Sequence, residues 1–143
     1  MGSMHLAIGQ APVVLGDVNK NLRIMENLIC KAQEKNNQEI DLIAFPELFI
    51  TGYNLRDNYN DVAEKIPGKG KAQSGICELA KKYDTHIVTG IVEKSGKSLF
   101  NSAILVGPEG HMGCYRKQFL PNFGPFEEKM FFGVGNQTPV FET

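Results

Sequence analysis

Short apolar segments alternate with longer amphipathic segments through the first part of the chain. Residues 5–11, 41–46 and 86–92 are apolar runs of strand length. Between them, residues 18–36 and 72–83 place apolar side chains at the spacing of one helix face. This alternation predicts an α/β fold, because strands that are connected through helices pair in parallel in one sheet.

Tight turns replace helical connections in the second part of the chain. Residues 99–106 and 111–119 have the apolar pattern of strands, and they follow turn signals at residues 94–97 and 107–110. Strands joined by such turns are antiparallel neighbours. The sheet is therefore predicted to be mixed.

Three further segments have weaker or different patterns. Residues 58–64 are polar and weakly helical, and residues 138–143 begin the pattern of another strand. Residues 1–3 are typical of an expression scar ahead of a native start at Met4. The folded unit is expected to comprise residues 4–143.

Composition and charge exclude several classes of function. The formal net charge of −1 gives no electrostatic basis for binding nucleic acid or an anionic membrane. No apolar run approaches the roughly 18 to 20 residues that span a bilayer, and no secretory signal is visible. The three cysteines lack the paired spacing of metal sites. We therefore expect a cytoplasmic protein that holds no metal and no cofactor.

A carboxylate directly follows the second predicted strand. Glu47 comes after Pro46, at the carboxyl end of the strand, where ligand sites cluster in open α/β sheets. Its apolar neighbours favour a role as a general base. From its position alone, a structural role as a cap on a loop N–H group explains Glu47 equally well.

A lysine and an aromatic-rich loop follow the fifth predicted strand. Lys117 could stabilise a developing oxyanion as a fixed charge, although a solvated surface lysine explains this residue alone more simply. Residues 119–132 contain five phenylalanines and two prolines, which fits either the wall of a small-substrate pocket or a hydrophobic plug. Glu127 and Glu128 are adjacent, so at most one of them is expected to face inward.

Four short motifs occur in a fixed order along the chain. They are Phe45-Pro46-Glu47-Leu48 with Thr51-Gly52-Tyr53, then Asn101-Ser102-Ala103, then Tyr115-Arg116-Lys117, and finally the run from Leu120 to Glu128. In this order they resemble the nitrilase superfamily of carbon–nitrogen hydrolases, over nearly all of residues 4–143. The resemblance implies the N-terminal half of a four-layer α-β-β-α sandwich, truncated before the nucleophile.

The resemblance also implies roles for individual residues. Members of this family use a cysteine nucleophile, a glutamate base, a lysine and an assisting second glutamate. Matched by position, these correspond to Glu47 as the base, Lys117 as the oxyanion-binding lysine, and Glu128 as the group that orients Lys117 or the substrate. The side chains expected to contact the substrate are Tyr53, Asn122, Phe123 and Phe126.

None of the three cysteines matches the nucleophile of this family. Cys30 and Cys77 fall in predicted helices, and Cys114 falls inside a strand. In the family, the nucleophile follows the strand that begins here near Val140. The resemblance therefore implies a chain with the base, the lysine and one pocket wall, but without the attacking sulfur. Phe119 is a smaller departure, because relatives often have histidine after the lysine.

The activity implied for the full-length protein is hydrolysis of a small amide, nitrile or N-carbamoyl compound, with this fragment inactive and the whole enzyme a homo-oligomer. One alternative is the glutaminase domain of a glutamine-dependent NAD synthetase, which is similar around residues 117–132. Those domains tend to have a proline- and acid-rich run where this chain has residues 54–57. A second alternative is a non-catalytic scaffold or binding fragment.

The resemblance also has a consequence for the isolated chain. One half of the sandwich would expose the apolar sheet face that normally packs on the other half, which predicts poor behaviour as an isolated monomer.

Overall fold

A computed structural model describes residues 4–36 and 39–143, so the predicted expression scar lies outside the described residues. The helices and strands, in chain order, are β1 (Leu6–Ile8), α1 (Val18–Asn36), β2 (Leu42–Ala44), a short 3-10 helix (Arg56–Asn58), α2 (Tyr59–Val62), α3 (Lys71–Tyr83), β3 (His86–Ser95), β4 (Ser98–Gly107), β5 (Gly110–Arg116) and α4 (Glu128–Phe131).

The strands form one sheet in the order β1-β2-β3-β4-β5. The pairs β1–β2 and β2–β3 are parallel, whereas β3–β4 and β4–β5 are antiparallel. The change of direction follows from the connections. Helices α1 and α3 return the chain so that the next strand runs parallel to the last, whereas a tight turn reverses the chain and makes the next strand antiparallel. The predicted α/β class with a mixed sheet is confirmed.

Helices α1 and α3 cover one face of this sheet. Their apolar stripes, which include Met25 and Ile76, pack against strand residues such as Ile43, Ile87 and Ile104. Burial of each such side chain stabilises the fold by about 1.5 to 3 kcal/mol. Because both helices pack on the same side, neither α1 nor α3 contacts the other face of the sheet.

Helices α1 and α3 do not reach the opposite sheet face, which is covered in part by a second apolar cluster that includes Tyr59, Val92 and Phe132. Because side chains alternate along a strand, Leu6 and Ile8 point away from the helices, and Ile8 is 84% exposed. Exposed apolar side chains on one sheet face, such as Leu6 and Ile8, are what one half of a two-sheet sandwich presents. The poor behaviour expected of an isolated monomer remains a prediction.

Three sequence-based boundaries differ from the structure. The strand predicted at residues 138–143 is wrong: the segment pairs with no strand in the described parts of the chain, and Val140 is 95% exposed. Apolar alternation alone does not make a strand without a neighbouring ladder to pair with. The fifth strand ends at Arg116 and not at Phe119. The weak helix at residues 58–64 narrows to Tyr59–Val62, after a 3-10 turn.

Among the helices of the described residues, none has the length and apolar character needed to cross a bilayer.

Candidate active site

A sharp elbow after β2 carries Glu47. Leu48 adopts a left-handed backbone with φ of 46°, and the N–H of Gly52 donates to the Leu48 carbonyl at 2.7 Å, which closes the turn. The elbow lies directly against β3 at Gly90, where a β-carbon would come within 2.0 Å of the Leu48 nitrogen. Only glycine allows this approach, which holds Glu47 over the ends of the strands.

Lys117 follows β5 immediately and is held by its backbone on both sides. Its N–H donates to the Asn101 carbonyl at 2.8 Å, and its carbonyl accepts from the N–H of Gly135 at 2.9 Å. These two bonds fix the backbone of Lys117 at the end of β5, and its side chain borders the groove on the same side as that of Tyr115. The long side chain of Lys117 therefore reaches Glu47 from a fixed backbone position.

The three charged residues that the resemblance singled out meet in the structure. The Nζ of Lys117 lies 2.6 Å from Glu47 Oε1 and 2.9 Å from Glu128 Oε1. Burial alone would lower the pKa of Lys117, but the hydrogen bonds to Glu47 and Glu128 outweigh it and hold that pKa above its ordinary value. Lys117 is therefore a permanent positive charge at neutral pH.

Each glutamate of this group also accepts a bond from a neutral donor. The Nδ2 of Asn101 donates to Glu47 Oε1 at 2.6 Å, and the hydroxyl of Tyr53 donates to Glu128 Oε1 at 2.6 Å. Burial, together with the hydrogen bond to Glu128, raises the pKa of Tyr53, so its hydroxyl stays protonated and continues to donate. Each carboxylate is thus fixed by one charged and one neutral donor.

The two adjacent glutamates differ in exposure, as expected. The side chain of Glu128 is only 3% exposed, and Glu127 is exposed to solvent. Within the described residues, the second carboxylate oxygen of Glu128 is buried and accepts no hydrogen bond. A cavity of about 30 Å³ adjoins Glu128, Tyr53 and Tyr59. A buried acceptor of this kind is suited to one further N–H or O–H donor.

Beside the charged group, an open groove of about 370 Å³ runs along the sheet face that the helices leave uncovered. It is lined by Phe45, Glu47, Val88, Thr89, Gly90, Asn101, Ser102, Ala103, Tyr115 and Lys117. The volume lies within the range of small-molecule sites, about 300 to 1,000 Å³. Small or apolar side chains form its floor, and the charged group stands at one end.

The residues expected to contact substrate fall into two places. Tyr53 contacts Glu128 directly, and the ring of Phe126 lies 6.3 Å from the ring of Tyr53. Phe123 packs on Phe126 at 5.6 Å but, like Asn122, it lines a separate concavity on the outer surface. The structure therefore brings Tyr53 to the charged group and Phe126 to the ring of Tyr53, whereas Asn122 and Phe123 line the separate concavity.

The sequence interpretation did not include Asn101 among the site residues. Its signal was an amide in a strand whose other members are mostly apolar or small, inside one of the four motifs. A buried amide in such a position requires hydrogen-bond partners. Its partner, Glu47, lies 54 positions away in the sequence, so only the fold reveals the contact.

The three cysteines all lie away from the charged group. The sulfur of Cys114 points to the helix-covered side, 3.6 Å from Glu93 Oε2, and burial with the nearby Glu93 charge raises its pKa to about 11. Cys30 lies 2.9 Å from the Tyr83 hydroxyl, between the helices. Burial raises the pKa of Cys77 in α3. A thiol with a raised pKa is a poor nucleophile at neutral pH.

Comparison with known proteins places this arrangement in a family. The model for carbon–nitrogen hydrolases matches residues 5–143. The chain belongs to the carbon–nitrogen hydrolase family. It is 39% identical over 120 residues to a nitrilase from Pyrococcus abyssi, covering 82% of this chain and 43% of that protein.

Solved structures of other proteins share the fold of this chain. The chain is similar to glutamine-dependent NAD+ synthetase from Acinetobacter baumannii, with a TM-score of 0.80, 30% identity, and coverage of 100% of this chain and 26% of that one. Saccharomyces cerevisiae Nit3, a nitrilase-superfamily member, has the same fold with a TM-score of 0.84 at 20% identity, covering 98% and 51%. The chain spans about half or less of the length of these relatives.

Proposed function

We propose that the full-length protein hydrolyses a non-peptide C–N bond in a small amide, nitrile or N-carbamoyl compound. Glu47 and Lys117 would act with a cysteine that lies outside residues 1–143. One observation supports this proposal above the others: the Lys117 ammonium lies between the carboxylates of Glu47 and Glu128, at 2.6 and 2.9 Å.

Glu47 has the geometry of a general base. Its Oε1 is occupied by Lys117 and Asn101, and within the described residues its Oε2 accepts no hydrogen bond. The side chain is 44% exposed and borders the groove. A thiol that approaches along the groove would therefore meet a free carboxylate oxygen, which takes the proton and leaves a thiolate to attack the substrate carbon.

Lys117 supplies the positive charge for the tetrahedral intermediate. It is held by backbone bonds on both sides and remains protonated, so it needs no rearrangement as negative charge develops on the substrate oxygen or nitrogen. Glu128 keeps the ammonium in place from its buried side. Glu47 would return its proton to the leaving nitrogen as the C–N bond of the tetrahedral intermediate breaks, and water would then hydrolyse the acyl–sulfur bond that remains. A nitrile would first add one water to its thioimidate and so reach the same tetrahedral intermediate.

The sulfur in this mechanism is not Cys30, Cys77 or Cys114. Cys114 lies on the opposite face of the sheet from Glu47 and contacts Glu93. Cys30 and Cys77 belong to the helices that cover that same opposite face. We therefore propose that this fragment alone has no hydrolase activity and that the remainder of the protein supplies the cysteine.

A second candidate is the glutaminase domain of a glutamine-dependent NAD synthetase. The similarity to the Acinetobacter baumannii enzyme covers the whole of this chain, which favours it. Residues 54–57 weigh against it, because Asn54-Leu55-Arg56-Asp57 is neither proline-rich nor strongly acidic. A non-catalytic scaffold is less well supported, because a scaffold has no need to keep Glu47, Lys117 and Glu128 in contact.

The test is an assay of the full-length protein with glutamine, small linear amides, nitriles and N-carbamoyl compounds, with ammonia release as the readout. Glu47→Gln and Lys117→Met should each reduce turnover by about 10²-fold or more. Glu127→Gln, which changes an exposed neighbour of Glu128, is the matched control and should retain activity. Activity that survives both Glu47→Gln and Lys117→Met would overturn the mechanism, and glutamine as the preferred substrate would favour the second candidate.

We further propose that the full-length enzyme is a cytoplasmic homo-oligomer that binds its small-molecule substrate without nucleic acid, metal or membrane. Light scattering of the purified full-length protein measures its oligomeric state directly.

A further inference from the structure

Asn101 connects the two opposite charges at the mouth of the groove. Its side-chain Nδ2 donates to Glu47 Oε1 at 2.6 Å, and its backbone carbonyl accepts from the Lys117 N–H at 2.8 Å. One residue therefore holds the carboxylate through its side chain and the lysine through its main chain. No other described residue contacts both partners of this ion pair in that way.

Asn101 is itself held rigidly. It lies in β4, between β3 and β5, and its ladder partner on β3 is Val92. Only 4% of the residue is exposed. The amide is consequently a fixed donor, in contrast to Glu47, which stands on a left-handed elbow and is the more exposed member of the pair.

The Glu47 carboxylate determines which way the Asn101 amide faces. A carboxylate only accepts hydrogen bonds, so the Asn101 amide group must present its NH₂ side to Glu47. By occupying Oε1 together with Lys117, it leaves Oε2 for the groove. We propose that Asn101 is a positioning residue that sets the orientation of Glu47 relative to Lys117 and so aims Oε2 at the incoming thiol. This role rests on the function proposed above.

The test uses Asn101→Ala, Asn101→Asp and the matched control Gln73→Ala. Gln73 is a second buried amide, 2% exposed, that lies in α3 with its Nε2 at 3.2 Å from His111 Nδ1. All three variants thus remove a buried side-chain amide. Only the two Asn101 variants alter the bond to Glu47.

Two readouts separate positioning from general stability. In the full-length enzyme, Asn101→Ala should lower kcat/KM by about 10- to 100-fold, mainly through kcat. Asn101→Asp places two carboxylates in contact, which then share a proton, so the acid limb of the pH–rate profile should move to higher pH. In the same full-length protein, NMR titration of the Lys117 side chain should show its pKa fall toward the ordinary value in Asn101→Ala, because a Glu47 carboxylate that is no longer held by the amide pairs less well with the ammonium. Gln73→Ala should change none of these.

The outcomes distinguish the two proposals. A wild-type enzyme with no hydrolase activity would contradict the proposed function. The Lys117 titration would still decide whether Asn101 holds the Glu47–Lys117 ion pair. An Asn101→Ala enzyme as active as the wild type, with an unchanged Lys117 titration, would overturn the positioning role. So would a loss of kcat/KM in Gln73→Ala as large as that in Asn101→Ala.

Discussion

Substitution of Gly90 by alanine tests whether the elbow that carries Glu47 must lie against the sheet. A β-carbon at Gly90 would come within 2.0 Å of the Leu48 nitrogen and within 2.7 and 2.8 Å of the Glu47 carbonyl carbon and Cα. All three contacts are with backbone atoms, so no side-chain rotation can relieve them. The elbow, the strand or both must shift.

The size of the shift follows from these distances. Real β-carbon contacts do not fall below 3.0 Å, so the Leu48 nitrogen, now at 2.0 Å, must retreat by about 1 Å. The Glu47–Lys117 contact of 2.6 Å would open by a similar amount, and a misplacement of about 1 Å in a catalytic group costs about 10²-fold in rate. Overpacking should also lower the free energy of unfolding by about 1 to 3 kcal/mol.

The assay compares Gly90→Ala with Gly96→Ala. Gly96 lies in the β3–β4 turn with φ of 61°, and a β-carbon there meets no atom within 4 Å. Gly96→Ala should therefore lower the free energy of unfolding through backbone strain, by about 1 kcal/mol, and leave turnover in the full-length enzyme unchanged. If Gly90→Ala keeps full turnover, or if the two variants lose turnover equally, the elbow does not position the base and the reasoning fails.

Three further predictions concern Tyr53 and Lys117 in the site and the thiol of Cys114 on the other face of the sheet. Tyr53→Phe removes a donor from the buried Glu128 carboxylate, so the free energy of unfolding, measured by urea titration, should fall by about 1 to 3 kcal/mol, with a drop in kcat of the full-length enzyme. Lys117 has a folded-state pKa above its ordinary value of 10.5, so its ion pairs stabilise the fold fully below that value and are lost as pH rises through the folded pKa. Lys117→Met should remove this part of the alkaline unfolding curve. Cys114 should react slowly with iodoacetamide near neutral pH, because its pKa is raised to about 11, and Cys114→Ala should retain activity in the full-length enzyme.

Periodicity was sufficient to predict the layers of the fold. The helix predicted at residues 18–36 is observed with the same bounds, because its apolar stripe has only one way to meet the sheet. The strand predicted at residues 138–143 failed for the opposite reason. A strand is defined by its partner as much as by its own pattern, and in this structure the segment has no ladder to join.

The family resemblance singled out three charged residues that meet in the structure, and of the two neutral donors beside them it singled out Tyr53 but not Asn101. Glu47, Lys117 and Glu128 stood out through motif context, and all three meet in space. Asn101 did not, because its importance depends on a hydrogen bond to a residue that is distant in sequence. The need for glycine at Gly90 was invisible for the same reason: it arises from a backbone elsewhere in the chain that touches β3.

The charge of the site accounts for the direction of proton transfer in the proposed mechanism. Glu47, Glu128 and Lys117 together carry a net charge of about −1 when all are ionised. A thiol that lost its proton to bulk water would make this net charge about −2 inside a partly desolvated groove, which is unfavourable. Transfer of the same proton to Glu47 keeps the net charge constant and leaves the new thiolate beside the Lys117 ammonium. The arrangement therefore favours Glu47, and not solvent, as the proton acceptor, and Lys117 is in place before the negative charge arrives.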